Sequence, residues 1–203
     1  MYGMIAIERV PQKEEVVRTP SDTDLLKQIA AGSHPALQTL MQRYQKPIAH
    51  FLARYLDSAD DAEQATLNVF VRVWEYAPRF QFRAKVSTWL FRIAVNIARD
   101  MHEYRQRRPQ QAPIPTDDLL TSTLTGNAEE EALKRMDQSE QYQKLQIGLK
   151  NLPEMDRLLL VLYYFEEASY EEMHEISGLS YTVLKTRLSR ARQRLRTQME
   201  ALL

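Results

Sequence analysis

Two stretches of this chain carry residue types suited to gripping nucleic acid. The first begins Ser180-Tyr181-Thr182-Val183-Leu184-Lys185-Thr186-Arg187-Leu188-Ser189-Arg190. From Tyr181 onward six cations, Lys185, Arg187, Arg190, Arg192, Arg194 and Arg196, face the single acid Glu200. Such cations contact guanine edges or phosphates, and Thr and Tyr hydroxyls reach either. The second stretch is Phe80-Gln81-Phe82-Arg83-Ala84-Lys85, followed by Ser87, Arg92, Asn96 and Arg99. Unstacked bases are held by aromatic faces lining cationic grooves, and this loop supplies both. Each stretch also has an ordinary use. A basic run suits the solvated face of an amphipathic helix, and Phe80 and Phe82 could plug a core, Phe80 the more readily. The aromatics Trp74 and Trp89 fit a core better than a DNA contact.

The formal net charge is zero, with 27 basic and 27 acidic residues. The charge is nevertheless unevenly spread. Six cations between Lys85 and Arg108 meet only Asp100 and Glu103, and the compensating acids sit at Glu166, Glu167, Glu171, Glu172 and Glu175. A phosphate responds to the charge within a Debye length of ~8–10 Å, so the local imbalance matters more than the sum.

Covalent chemistry finds little support. Without cysteine there is no thiolate nucleophile, disulfide or Cys-based zinc site. HExxH, P-loop and GxSxG patterns are absent. Glu171-x-x-His174 has di-iron helix spacing, yet His34, His50 and His102 are preceded at that offset by Ala31, Pro47 and Arg99. The expectation is a non-enzymatic protein with no catalytic residue, metal or cofactor. The apolar run 158–165 is far shorter than the ~20 residues of a membrane span, and residues 1–10 do not read as a secretory signal. A cytoplasmic protein is expected.

The elements that must position these residues read as helices throughout. Five glycines leave few tight β-turns. Residues 1–20 read as a tail. Ser21 or Asp22 caps a short helix ending near Gly32, and apolar residues from Leu37 to Tyr55 fall on one helical face. Pro47 inside that pattern is expected to kink or divide it. Ser58 starts the next helix, with Asp61 as a capping partner, and a further helix starts near Ser87. Residues 107–128, with Pro109, Pro113, Pro115 and Gly126, read as an extended linker. The second domain spans 129–203. Its end is a helix-turn-helix: Ser169 and Glu172 form a capping box, Gly178-Leu179 is the turn, and Ser180 caps the basic helix. The fold class is all-α, with helical domains over 21–106 and 129–203. At ~3.3–3.6 Å per residue the linker reaches ~70–80 Å, enough for two DNA turns of ~70 Å only when largely extended.

Leu152-Pro153-Glu154, the run 158–163, Ala168-Ser169-Tyr170-Glu171-Glu172-Met173 and 184–192 resemble the fourth domain of extracytoplasmic-function sigma factors. Independently, Tyr44-Gln45-Lys46-Pro47, Asp60-Asp61-Ala62-Glu63, Phe70-Val71-Arg72-Val73-Trp74 and 87–96 resemble their second domain, in order and spacing. The resemblance implies that the first domain binds the β′ clamp of core RNA polymerase and melts the minus-ten element. The second domain then reads the minus-thirty-five element and sits on the β flap. It assigns Gln81, Phe82, Arg83, Lys85, Ser87, Arg92, Asn96 and Arg99 to the downstream element. Ser180, Tyr181, Thr182, Lys185, Thr186, Arg187 and Arg190 go to the upstream one, and Asp61, Glu63, Leu67, Asn68 and Phe70 to polymerase. It also implies an anti-sigma factor as partner. Two departures stand out: Leu67-Asn68-Val69 replaces Gln-Glu-Thr on the polymerase-facing helix, and Thr182-Val183 replaces the usual Gly-Thr. The rival reading is a stand-alone helix-turn-helix regulator, which would leave the 80–85 loop and the linker without a role.

Overall fold

Four helices of the computed structural model start on a serine whose side-chain oxygen accepts a hydrogen bond from a backbone N–H three residues on. Ser21, Ser33, Ser58 and Ser169 take those of Asp24, Ala36, Asp61 and Glu172. Each satisfies one of the donors that a helix start leaves unpaired, worth about 1 kcal/mol. The structure describes residues 19–107 and 140–201, so all of the linker but Arg107, which still belongs to a helix, the start of the second domain and nearly all of the tail lie outside the described residues.

The N-terminal unit holds α1 (Asp22–Ala30), α2 (His34–Tyr55), α3 (Ala59–Tyr76), a short 3₁₀ turn (Ala77–Arg79) and α4 (Val86–Arg107). Leu26, Leu40, Ile48, Phe51, Leu52, Val69 and Leu90 are fully buried among them. Asp22 ties α1 to α2 by accepting from Arg43 at 2.7 Å and from the Tyr44 hydroxyl. Pro47 does not divide α2, which runs unbroken for 22 residues. The neighbouring Ile48 is 0% exposed, and packing there outweighs the one backbone bond a proline removes.

The C-terminal unit holds α5 (Glu140–Lys150), α6 (Glu154–Tyr164), α7 (Tyr170–Ser177) and α8 (Tyr181–Glu200). Five consecutive residues of α6, Leu158 to Leu162, are all buried to 1% or less. At 100° per residue they cover the whole circumference, so α6 needs apolar neighbours on every side. One side meets α7 and α8, and the other meets α2 of the first unit. The two units therefore pack on each other, with α7 also lying along α4.

Polar contacts seal this junction. Arg157 is 6% exposed and donates to the Tyr55 carbonyl at 2.9 Å, to Asp57 at 2.7 Å and to the Lys150 carbonyl at 2.6 Å. The Tyr55 hydroxyl donates to Glu154 at 2.5 Å, and burial together with that carboxylate pushes the phenol up. The Arg54 guanidinium lies 4.6 Å from the Phe165 ring centroid, a cation–π contact.

Candidate nucleic-acid interface

The helix-turn-helix is built as its residues dictate. Ser169 and Glu172 complete the capping box in both directions. Gly178 takes φ 74°, a left-handed conformation that glycine adopts without steric cost, and its N–H bonds the His174 carbonyl. The His174 ring Nδ1 lies 2.6 Å from the Leu179 carbonyl, so this histidine steadies the turn. Among the described residues no group of three His, Asp or Glu side chains is placed to hold a metal ion. Met173, Ile176, Leu184 and Leu188 are buried, which turns the opposite face of α8 to solvent.

That face carries Tyr181, Thr182, Val183, Lys185, Thr186 and Arg190, all exposed, with Ser180 exposed just before them. Ser180 stands at the N-cap position in extended backbone, but its side chain makes no capping bond, contrary to expectation. Its hydroxyl is left facing solvent. The Lys185 ammonium lies 4.8 Å from the Tyr181 ring centroid and 5.9 Å from that of Tyr170. Tyr170, read in the sequence only as part of the capping-box motif, thus helps hold this exposed lysine. Arg187 departs from the simple picture: its Nε donates to the buried Asp156 at 2.8 Å. Arg192 lies over the rings of Tyr163 and Tyr164 and serves packing.

The loop before α4 takes a different form. Phe80 is half-buried, 4.8 Å from Trp89 and 4.9 Å from Phe82, centroid to centroid. It props Phe82, which is 41% exposed and held at φ 53°, where an aromatic side chain is strained. Lys27 reaches to 5.6 Å of the Phe82 centroid from α1, a cation that the loop sequence alone does not reveal. Gln81, Arg83, Lys85, Arg92 and Asn96 are exposed, and Ser87 and Arg99 are half-buried. Lys85 bonds Glu172 of the capping box at 2.9 Å, and that carboxylate with its hydrogen bond raises the lysine pKa. Arg99 turns toward Met155 of the second unit.

The expected polymerase-facing residues divide between surface and interior. Glu63, Leu67 and Asn68 are exposed on α3, and Val71 extends their face at 56% exposure. Phe70 is 3% exposed and packs in the core, because it points to the opposite side of α3. Asp61 is buried and ion-paired with Arg105 at the far end of α4. Neither offers its side chain to a partner in this arrangement. Trp74 and Trp89 are half-buried, Trp74 stacking on His34 at 4.4 Å.

Comparison with known proteins gives this arrangement its context. Residues 40–108 match sigma-70 region 2, and residues 143–195 match sigma-70 region 4. The chain belongs to the sigma-70 family. Within it the relatives are of the extracytoplasmic-function (ECF) type. The ECF RNA polymerase sigma factor SigW of Bacillus subtilis is 29% identical over 184 residues, covering 87% of this chain and 96% of the relative. The ECF RNA polymerase sigma-E factor of Haemophilus influenzae is 26% identical, covering 90% and 97%. The fold is similar to that of CnrH in its complex with the cytosolic domain of CnrY, at TM-score 0.63 and 23% identity, covering 89% of this chain and 97% of that one. This ECF sigma factor is thus an all-helical promoter-specificity factor for transcription initiation, and its two exposed cationic surfaces lie one in each matched region. Among the described residues no helix is long and apolar enough to cross a membrane.

Proposed function

We propose that residues 21–106 and 129–203 act as two DNA-gripping domains of one cytoplasmic initiation factor, joined by a linker over 107–128. The first recruits core RNA polymerase through its β′ clamp and opens the minus-ten element. The second reads the minus-thirty-five element and rests on the β flap. The observation that carries this reading is Phe82, propped by Phe80 and Trp89 yet open to solvent beside Lys27. A hydrophobic plug would be buried, whereas a stacking platform for a base must be exposed. Gln81, Arg83 and Ser87, with Arg92, Asn96 and Arg99 of α4, would line the path of the opened strand.

On α8, Ser180, Tyr181, Thr182, Lys185, Thr186, Arg187 and Arg190 would meet the major groove of the upstream element. The clamp would be met by Glu63, Leu67 and Asn68, with Phe70 and Asp61 supporting that helix from within. Leu67, at 38% exposure, supplies an apolar contact where the family pattern carries a polar one.

Two elements two helical turns apart lie ~70 Å from each other. The packed units must therefore part for both to be engaged, which frees Lys85 from Glu172 and Arg157 from Asp57. The same apolar junction and cationic faces suit an anti-sigma factor that would keep the chain from polymerase. Electrophoretic mobility shift on promoter DNA tests the reading. Tight binding is expected only when core polymerase is added. Equally tight binding by the chain alone would favour a stand-alone regulator.

A further inference from the structure

Asp156 stands in the first turn of α6 and is 0% exposed. Its two oxygens take two arginines of the recognition helix: Oδ1 accepts from Arg187 Nε at 2.8 Å, and Oδ2 accepts from Arg194 Nη1. Burying a carboxylate is costly unless it is paired, and two guanidiniums offset that cost. Arg187 and Arg194 are seven residues apart, two turns along the same face of α8. A carboxylate held between them resists both rotation and sliding of that helix against α6.

The pair also orients one donor. With Nε engaged, the Nη groups of Arg187 make no hydrogen bond among the described residues, and the side chain is 40% exposed. It borders a recess of about 420 Å³ shared with Thr182, Thr186 and Arg190. A guanidinium anchored at Nε presents its Nη fork in a fixed direction. The base that accepts such a fork is guanine, through O6 and N7. An unanchored arginine would spread over many rotamers and pay more entropy for the same contact.

We propose that Asp156 is a positioning residue for promoter reading, which sets Arg187 to recognise a guanine of the upstream element. This rests on the assignment of α8 as the upstream reader. The lever lies outside the helix-turn-helix, on the helix before it.

The test uses the full chain with core polymerase. Holoenzyme selects from promoter DNA whose upstream element is randomised and whose downstream element is fixed, and the bound pool is sequenced. Wild type, Asp156→Asn, Arg187→Ala and the double variant are compared. Asparagine keeps the shape but cannot neutralise two cations. We expect wild type to enrich guanine at one position and Asp156→Asn to lose about tenfold of that preference. The double variant should be no less selective there than Arg187→Ala alone. Should Asp156→Asn melt below the assay temperature, Arg187→Lys replaces it. A lysine paired with Asp156 has no fork left, so the same preference should vanish. Retained guanine preference in Asp156→Asn, or in Arg187→Lys, would overturn the proposal. So would an equal loss on every sequence, the mark of a purely structural brace. Wild type with no upstream preference at all would overturn the reading of α8 first, and this proposal with it.

Discussion

The two regions proposed to face DNA in this sigma factor are built by opposite means. Helix α8 is regular and packed, and the residues proposed to read bases project from an ordinary backbone. The 80–85 loop is irregular, and it holds Phe82 in left-handed backbone against a neighbouring ring. Reading an intact duplex needs only donors at fixed helical spacing. Holding a single unstacked base needs a rigid aromatic face out in solvent, which folding alone does not favour. Strain at Phe82 is sustained by the tilted Phe80–Trp89 ring contact behind it.

The regions also differ in how the packed junction affects them. Lys85 of the loop is tied to Glu172 on the other unit, whereas Lys185 is held by tyrosines of its own unit. Opening the junction should therefore release the downstream site and leave the upstream one unchanged.

Phe82→Ala should separate the regions most sharply. Permanganate reactivity of minus-ten thymines should fall about tenfold or more, while closed-complex affinity stays within twofold, since stacking on one aromatic is worth about 1–3 kcal/mol. Equal loss in both steps would make Phe82 a packing residue.

Next in size is a pH effect on the junction. Burial raises Glu166, beside Arg54, to about 7 from its usual 4.5. The folded protein thus holds a proton that the unfolded chain releases near pH 4.5. Stability is then full below that pH, falls as pH rises toward 7 and levels off above it. Melting temperature across pH 4.5–7.5 should show this decline, and Glu166→Gln should flatten it. An unchanged slope in the variant would place the titrating group elsewhere.

Arg190→Ala should weaken upstream-element binding several-fold at low salt and reduce the salt slope by about 1, leaving minus-ten melting intact. Loss of melting as well would deny the two regions separate roles. The smallest effect is expected from Gly178→Ala. A Cβ there meets no atom within 4 Å, so only the positive φ is penalised, at about 1 kcal/mol. Thermal unfolding checks this, and a loss several times larger would mean the turn itself had rearranged.

Much of this was legible in the sequence because it depends on local chemistry. Serine caps, the turn glycine and the apolar faces of α2, α3, α4 and α8 need only their own neighbours. Pro47 does not divide α2, one of the two outcomes expected of it, because propensity is a weak prior against tertiary packing. Phe70 and Asp61 were assigned by family pattern to a surface, whereas helical periodicity turns both inward. The junction was not legible: the apolar run 158–165 speaks only against a membrane span, and a sequence does not say what covers each side of a helix. Asp156, Arg157 and Tyr170 gained their roles only through partners 31, 102 and 11 positions away: Arg187, Tyr55 and Tyr181.

As proposed, this chain makes core polymerase initiate at promoters chosen by two separate elements. Run-off transcription of a randomised promoter library by purified core polymerase, with and without the chain, decides this. Transcripts that depend on the chain, from templates sharing two sequence elements about two turns apart, are expected. No transcript above the core-only background, from any template, would contradict it.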